Sequence, residues 1–258
     1  MMALFITLFS AMGLAGAQDS IHTEVVEYKQ GDKMLKGYLA YDSSQKKKRP
    51  GVLVFPEWWG LNDYAKQRAR QLADMGYIAF AVDMYGDGTV AANPQEASSF
   101  AGRFYGDRQL MRQRAAAALE VLKNNSLADN DRLAAIGFCF GGSCALELAR
   151  SGAALIGVVS FHGGLATPNP ADGKNIKGSV LVLHGGDDTH VKKEDLMAFW
   201  KEMQDSGADW EINIYGDAVH SFTNPAAGND KSRGSAYNEK AATRAWSAMQ
   251  TFFKEIFK

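Results

Sequence analysis

A cysteine flanked by glycines is the residue of this chain with the clearest capacity for chemistry. Cys139 lies in the sequence Gly-Phe-Cys-Phe-Gly-Gly, residues 137–142, between an apolar run at 133–136 and an apolar segment at helical spacing. A strand, a tight turn and a helix in this order form a nucleophile elbow, here with Cys in the place of Ser. Glycines are expected there because side chains would collide with the packed strand and helix. The alternative is a glycine-rich turn with a buried structural cysteine.

An acid and a histidine follow the cysteine in the order that a catalytic triad requires on such an elbow. Asp188 comes just after the apolar run 179–184, and His220 comes after the alternating run 210–215. Because parallel strands bring their carboxyl ends to one edge of a sheet, the three side chains are predicted to meet there. His220 would act as the base that activates the thiol, and Asp188 would orient the imidazole. Asp187 is an alternative for the acid.

Alternating strand-like and helix-like segments predict how these residues are positioned. Residues 23–29 and 34–41 are predicted to form a β-hairpin around Gly31 and Asp32. The pattern as a whole predicts an α/β fold, with a mostly parallel central sheet, an N-terminal antiparallel hairpin and helices on both faces. Further strands are predicted at 51–55, 77–82, 133–136, 155–161, 179–184 and 210–215, and helices at 63–75, 94–104, 107–124, 143–150, 193–206 and 238–256.

Length, composition and charge narrow the classes of protein to which the chain can belong. With 258 residues, of which 46% are apolar, it can bury a substantial core, and residues 18–258 are predicted to form one domain. The formal net charge of −1 argues against nucleic acid or an anionic membrane as a partner. The chain has no Cys or His spacing typical of a metal site. We expect no metal and no cofactor.

The N-terminus differs from the rest of the chain. Residues 1–16 are apolar and uncharged, and Ala15-Gly16-Ala17 forms a small-x-small site. This pattern is typical of a secretory signal peptide that is cleaved after Ala17, although the usual basic residues are missing. The prediction is a mature protein that starts near Gln18 and works in the periplasm or outside the cell. The alternative is a cytoplasmic protein whose N-terminal run packs on the domain.

From about Thr23 to Phe253, the chain resembles the dienelactone hydrolases, or carboxymethylenebutenolidases. The resemblance rests on the segment 55–62 with its Phe-Pro-Glu-Trp-Trp-Gly-Leu-Asn sequence, the Cys139 elbow, the turn at 188–191 and the segment 215–222. It implies the α/β-hydrolase fold and the hydrolysis of small esters or lactones through a thioester on the cysteine. The family turn reads Asp-x-x-Val, which favours Asp188 over Asp187.

The resemblance also implies roles for residues around the nucleophile. The Glu of the family motif corresponds to Glu57, which would contact the resting thiol and help to generate the thiolate. The alternative for this residue is a carboxylate that is hydrogen-bonded to loop backbone amides. The backbone N–H groups of Phe140 and Trp58 are predicted to form the oxyanion hole.

The substrate pocket is predicted to be aromatic. Its walls would be Trp58, Trp59, Tyr85 and Phe222, with core packing as the alternative role of these side chains. Members of the family that act on chloroaromatic intermediates carry arginines after the strand that corresponds to 77–82 and after the catalytic His. Neither neighbourhood contains an arginine here, and Arg103 is the candidate replacement. Neutral esters or lactones are therefore expected to be hydrolysed at least as well as carboxylate-bearing analogues of equal size.

Two other functions fit the sequence less well. One is a general carboxylesterase, or a hydrolase of another acyl bond, on the same scaffold. The other is a catalytically silent exported binding protein, against which the three residues in catalytic order argue. The chain is expected to act as a monomer or a small homo-oligomer.

Overall fold

The protein is built around a mixed sheet of eight strands, seen in a computed structural model that describes residues 20–258. The strand order is β1-β2-β4-β3-β5-β6-β7-β8. From β4 to β8 all neighbouring strands are parallel, whereas β1, β2 and β4 pair antiparallel. The strands are β1 Ile21–Gln30, β2 Lys33–Asp42, β3 Arg49–Phe55, β4 Ile78–Ala81, β5 Ala128–Phe138, β6 Gly157–Phe161, β7 Ser179–Gly185 and β8 Trp210–Tyr215.

Six α-helices connect the strands of the described chain and cover both faces of the sheet. Buried side chains of α1 and α6 belong to the apolar cluster on one face, and those of α2 to α5 belong to the cluster on the other. The predicted fold class, with its N-terminal hairpin and its helices on both faces, is confirmed. The helices are α1 Asp63–Asp74, α2 Pro94–Gly106, α3 Arg108–Lys123, α4 Phe140–Arg150, α5 Lys193–Ser206 and α6 Glu239–Ile256.

Four of the six α-helices of the described chain, α1, α2, α3 and α6, begin at a capping side chain. Asn62 accepts a hydrogen bond from the backbone N–H of Ala65 at the start of α1. Asn238 caps α6 in the same way, through the N–H of Ala241. Such caps satisfy N–H groups that the first turn of a helix leaves without a partner.

The strand that leads to the elbow is longer than the sequence predicts. β5 begins at Ala128, and its first residues pair with Arg49 and Pro50 of β3 before the register shifts at Gly51. The first part of the strand was not predicted, because the polar residues 129–132 interrupt the apolar run on which the prediction depended.

The predicted signal peptide, residues 1–17, lies outside the residues that the structure describes, so it remains a prediction. Within residues 20–258, none of the helices combines the length and the apolar character that crossing a membrane requires.

Candidate active site

Cys139 lies at the tip of a sharp turn between β5 and α4. Its backbone has φ 52° and ψ −117°, a conformation that non-glycine residues rarely adopt. The turn is tight: a Cβ atom on Gly137 would lie 1.9 Å from the carbonyl oxygen of Gly141, and one on Gly141 would lie 2.2 Å from that of Phe55. The predicted elbow is therefore present, and its glycines are required by backbone packing.

Asp188 and His220 come together at the same edge of the sheet. Oδ2 of Asp188 is 2.8 Å from Nδ1 of His220, and Oδ1 accepts hydrogen bonds from the backbone N–H groups of His190 and Val191. The exposed Asp187 makes no such contact. Of the two candidate acids, Asp188 is the one that contacts the histidine.

The electrostatics of this pair favour the charged form of the imidazole. Burial lowers the pKa of His220, but its electrostatic and hydrogen-bonding interactions with the neighbouring Cys139 and Asp188 outweigh this effect and raise the pKa well above its usual value. Burial raises the pKa of Asp188, but its contacts with His220 and with two backbone N–H groups hold the pKa below the usual range. The buried imidazole is thus stabilised in its charged form, which a general base must reach after it removes a proton.

Glu57 is buried beside these residues and is held by two side chains. Oε1 accepts a hydrogen bond from Oγ of Ser221 at 3.1 Å, and Oε2 accepts one from Nδ2 of Asn224 at 2.6 Å. Burial raises the pKa of Glu57, against the opposing effect of these hydrogen bonds and of His220. Neither sequence-based expectation is met, since its hydrogen-bond partners are neither the thiol nor loop backbone amides.

The two backbone amides predicted for the oxyanion hole both lie at the cavity. Phe140 is the first residue of α4, and Trp58 follows β3. In the described chain, neither N–H donates a hydrogen bond to another backbone group. Both residues line the same cavity as Cys139 and His220. Free N–H groups directed at a reacting carbonyl stabilise the charge that develops on its oxygen.

Tyr85 contacts both Trp58 and Phe140 but does not line the cavity. Its hydroxyl donates a hydrogen bond to the carbonyl oxygen of Trp58 at 2.7 Å. Its ring stacks on that of Phe140, with ring centroids 5.9 Å apart and planes inclined by 28°. The prediction that Tyr85 is a pocket wall is therefore wrong, because the hydroxyl is directed towards the backbone of the loop after β3.

The cavity around Cys139 has a volume of about 650 Å³, which is enough for a small organic substrate. Trp58 and Trp59 line it as predicted, and their rings meet edge to face at 5.3 Å. Among residues 20–258, no lysine or arginine lines this cavity. The lining residues are Glu57, Trp58, Trp59, Asn62, Asp63, Tyr64, Ala101, Tyr105, Cys139, Phe140, Gly164, His190, Val191, His220, Ser221, Asn224, Ala226, Ala227 and Ser235.

Two further predicted pocket residues lie elsewhere. Phe222 is fully buried in the core, where its ring packs against His162 and Tyr215, because the turn after His220 directs it away from the cavity. Arg103 lies on α2 and lines a separate cleft. Neither side chain lines the cavity around Cys139, which differs from the prediction.

Several residues at the site were missed by the sequence analysis. Ser221 and Asn224, which hold Glu57, follow His220 closely, so their positions in the sequence were the available signal. Tyr105 lines the cavity from α2, and its hydroxyl is 3.2 Å from Oγ of Ser143. Only its helical register relative to Ala101, another lining residue, could have indicated this.

An eight-stranded, mostly parallel sheet with a nucleophile elbow and an acid–histidine pair at one edge defines an α/β-hydrolase. The profile of the Dienelactone hydrolase family matches residues 35–257, so the chain belongs to that family. It is an ester or lactone hydrolase similar to dienelactone hydrolase and carboxymethylenebutenolidase.

Individual relatives agree with this assignment. A protein of Aquifex aeolicus named "Putative carboxymethylenebutenolidase" is 28% identical over 91% of this chain and 99% of its own length. The crystal structure of a dienelactone hydrolase-like promiscuous phosphotriesterase from metagenomic libraries is 45% identical, with a TM-score of 0.89, over 93% of this chain and 100% of its own. A dienelactone hydrolase from Anabaena variabilis shares the fold, with 18% identity and a TM-score of 0.66, over 91% of this chain and 98% of its own.

Proposed function

We propose that the chain hydrolyses small neutral esters or lactones through a thioester on Cys139. The observation that carries the proposal is the meeting, at one cavity, of Cys139, the Asp188–His220 pair and two backbone N–H groups without backbone partners. A ligand-binding protein has no need for this combination. A nucleophile, a base with its orienting acid and an oxyanion hole together are what acyl transfer requires.

The reaction proceeds in two halves. His220 removes the thiol proton, and the sulfur of Cys139 attacks the carbonyl carbon, so that an oxyanion forms at the N–H groups of Phe140 and Trp58. As this intermediate collapses, the alkoxide leaves with the proton from His220, and the acyl group remains as a thioester. His220 then removes a proton from water, the resulting hydroxide attacks the thioester, and the acid and the free thiol are released.

Glu57 is proposed to adjust the charge of this site. It is buried next to His220, so a negative carboxylate there would stabilise the imidazolium form. Ser221 and Asn224 hold both of its oxygens, which keeps the carboxylate away from the thiol until these contacts change. In this respect the residue differs from the role that the family resemblance implies.

The charge of the cavity favours uncharged substrates. Within the described chain its ionisable lining residues are acids, histidines, tyrosines and the cysteine, and no lysine or arginine is among them to pair with a substrate carboxylate. The relative described as a promiscuous phosphotriesterase makes neutral phosphotriesters a second candidate class. The same nucleophile and oxyanion hole suit attack at phosphorus, and a neutral phosphotriester needs no lysine or arginine to pair with.

Export is proposed from the N-terminal sequence alone. The apolar run and the Ala15-Gly16-Ala17 site support cleavage after Ala17 and a periplasmic or secreted enzyme. N-terminal sequencing of the protein from fractions of its native host is expected to give a mature chain that starts near Gln18. Full-length protein in the cytoplasmic fraction would contradict export.

The nucleophile is tested with matched cysteine variants. Cys139→Ala is expected to lower kcat for a chromogenic short-chain ester by several orders of magnitude, because triad residues act as a unit. Cys144→Ala is the control: Cys144 is fully buried, burial raises the pKa of its thiol, and turnover should stay within a few-fold. Iodoacetamide should inactivate the wild type and the control variant alike. If Cys144 proved essential and Cys139 dispensable, the proposed mechanism would be refuted.

A further inference from the structure

We propose that a second cleft, separate from the cavity around Cys139, binds a small aromatic carboxylate. This cationic cleft is formed by α2, α3, the start of β2 and the loop after β4, and its volume is about 340 Å³. Lys33, Arg103 and Arg114 line it, whereas no lysine or arginine of the described chain lines the active-site cavity. The inference concerns a different surface from the proposed active site and does not depend on it.

The charges of the cationic cleft are incompletely neutralised. Among residues 20–258, no carboxylate lies within 4.0 Å of the guanidinium group of Arg103 or of Arg114. Two acids lie nearby, but both are engaged. Asp87 pairs with Lys33, and the buried Asp83 accepts hydrogen bonds from four backbone N–H groups. Asp83 still attracts Arg114 at longer range, but the three cations of the cleft outnumber these two acids, so one positive charge is left to attract an anion from solution.

Arg114 is the fixed part of the cationic cleft. It is only 5% exposed, Nη1 donates to the carbonyl oxygen of Met84 at 2.8 Å, and Nε donates to Oε1 of Gln30 at 3.2 Å. Within the described residues, Nη2 has no hydrogen-bond partner. A buried, immobilised guanidinium with a free N–H group suits the binding of a carboxylate because little side-chain entropy is lost.

The remaining walls of the cationic cleft select the rest of the ligand. Phe100, Phe104 and Leu110 line it, together with the outer side of Tyr85. The Tyr85 and Phe100 rings lie 5.2 Å apart, and the guanidinium of Arg114 lies 5.7 Å from the Phe104 centroid. An aromatic ring packs well on such walls, and a carboxylate on that ring reaches the cations. An inorganic anion has no ring to pack on the aromatic walls, and a neutral aromatic molecule has no charge to pair with the cations, so neither makes both kinds of contact.

The test is calorimetric titration with benzoate, alongside benzamide as its uncharged isostere and inorganic phosphate as an anion without a ring. The titration uses protein that has been alkylated at Cys139 and checked by mass spectrometry. The alkyl group occupies the space beside the sulfur and so hinders binding of the acid in the active-site cavity. Benzoate is expected to bind this protein at one site, at least tenfold more tightly than either control compound. Equal binding of benzamide or phosphate, or no binding at millimolar benzoate, would overturn the proposal.

Variants locate the site. Arg103→Glu is expected to weaken benzoate binding at least tenfold, because it reverses a charge at the cleft, and Arg103→Gln should have a smaller effect. Arg244→Gln, at an exposed arginine of α6, is the matched control and should bind benzoate as the wild type does.

A crystal soaked with 4-iodobenzoate should give an anomalous iodine peak between Phe100 and Phe104. A peak in the active-site cavity alone, or unchanged binding by Arg103→Glu, would refute the cleft. If alkylation failed to reach Cys139, the proposed mechanism would be in doubt, and the Cys139→Ala variant would replace the alkylated protein in the same titration with the same expected result.

Discussion

At the scale of single residues, Glu57 shows how the local environment decides a role. The sequence places a carboxylate between a proline and two tryptophans, an apolar setting that raises its pKa. The structure adds two hydrogen-bond donors, Ser221 and Asn224, from a loop 164 and 167 positions further along the chain. These donors satisfy the buried oxygens, which would otherwise destabilise the fold. The same loop carries His220, so the position of Glu57 is coupled to that of the base.

Tyr85 is a second residue whose contacts bear on the site, although its side chain does not line the cavity. It contacts both residues whose amides are proposed to stabilise the oxyanion, through the carbonyl of Trp58 and the ring of Phe140. We therefore expect it to position these amides.

Tyr85→Phe keeps the stacked ring and removes the hydrogen bond to Trp58. We expect kcat for a neutral ester to fall about tenfold with KM changed less than about twofold, because the loss of about 1.4 kcal/mol falls on the transition state. The rate of alkylation of Cys139 by iodoacetamide, which needs no oxyanion hole, should stay unchanged.

Tyr77→Phe is the matched control for this experiment. The Tyr77 ring packs on Phe253 and Phe257, and in the described chain its hydroxyl makes no hydrogen bond. An equal loss of kcat in both variants, or a rise in KM in place of a fall in kcat, would argue against a positioning role for Tyr85.

At the scale of elements, a buried ion network fixes helix α4, which begins at the nucleophile. Arg150 at the end of α4 pairs bidentately with Glu202 of α5, with both distances 2.7 Å, and its Nη1 contacts Glu147 at 3.1 Å. Glu147 in turn accepts a hydrogen bond from Nε of Arg112 of α3 at 2.8 Å. The network therefore ties three helices on one face of the sheet, and none of its members at α4 or α5 is exposed to water.

Removal of one charge from this network is expected to destabilise the folded protein. Glu202→Gln should lower the free energy of unfolding by about 3 kcal/mol, since it leaves the buried guanidinium of Arg150 with one charged partner fewer. Urea unfolding followed by circular dichroism measures the change. Lys201→Gln, which breaks the exposed pair with Asp205 on the same helix, should leave the midpoint almost unchanged. Equal midpoints for the two variants would show that the buried network contributes no more than a surface pair.

At the scale of the whole molecule, charge is distributed unevenly between the two cavities. No lysine or arginine of the described chain lines the cavity around Cys139, whereas two arginines and a lysine line the cationic cleft. The formal net charge of −1 does not reveal this contrast, because it is the sum of the charges of the entire chain. The contrast suggests that a neutral substrate and an anionic ligand occupy different places on the molecule.

The charge of the active-site cavity predicts a substrate preference. An arginine that pairs with a substrate carboxylate contributes roughly 1.5–3 kcal/mol, and no such residue of the described chain lines this cavity. We expect kcat/KM for the methyl ester of a dienelactone carboxylate to equal or exceed that for the free acid. Measurement of the matched pair at low and high salt checks this, since screening separates charge from shape. A strong preference for the acid that weakens with salt would contradict the prediction.

Local patterns in the sequence were enough to predict most of the elements and the three residues of the proposed triad. Strand periodicity, capping residues and the glycines around Cys139 are local features, because each depends on neighbours a few residues away. The polar start of β5 was missed for the same reason: pairing with Arg49 and Pro50 of β3, and not local pattern, makes it a strand. The order of Cys139, Asp188 and His220 after three strands was sufficient to predict that they meet.

The direction and the contacts of individual side chains could be seen only in the folded protein. Phe222 and Tyr85 follow strands as wall residues would, yet one packs in the core and the other bonds to a backbone carbonyl. Arg103 lies on the helix after the expected loop, but its position on α2 places it in the cationic cleft. These outcomes depend on contacts between segments far apart in the chain, and such contacts leave no periodic signal in the sequence.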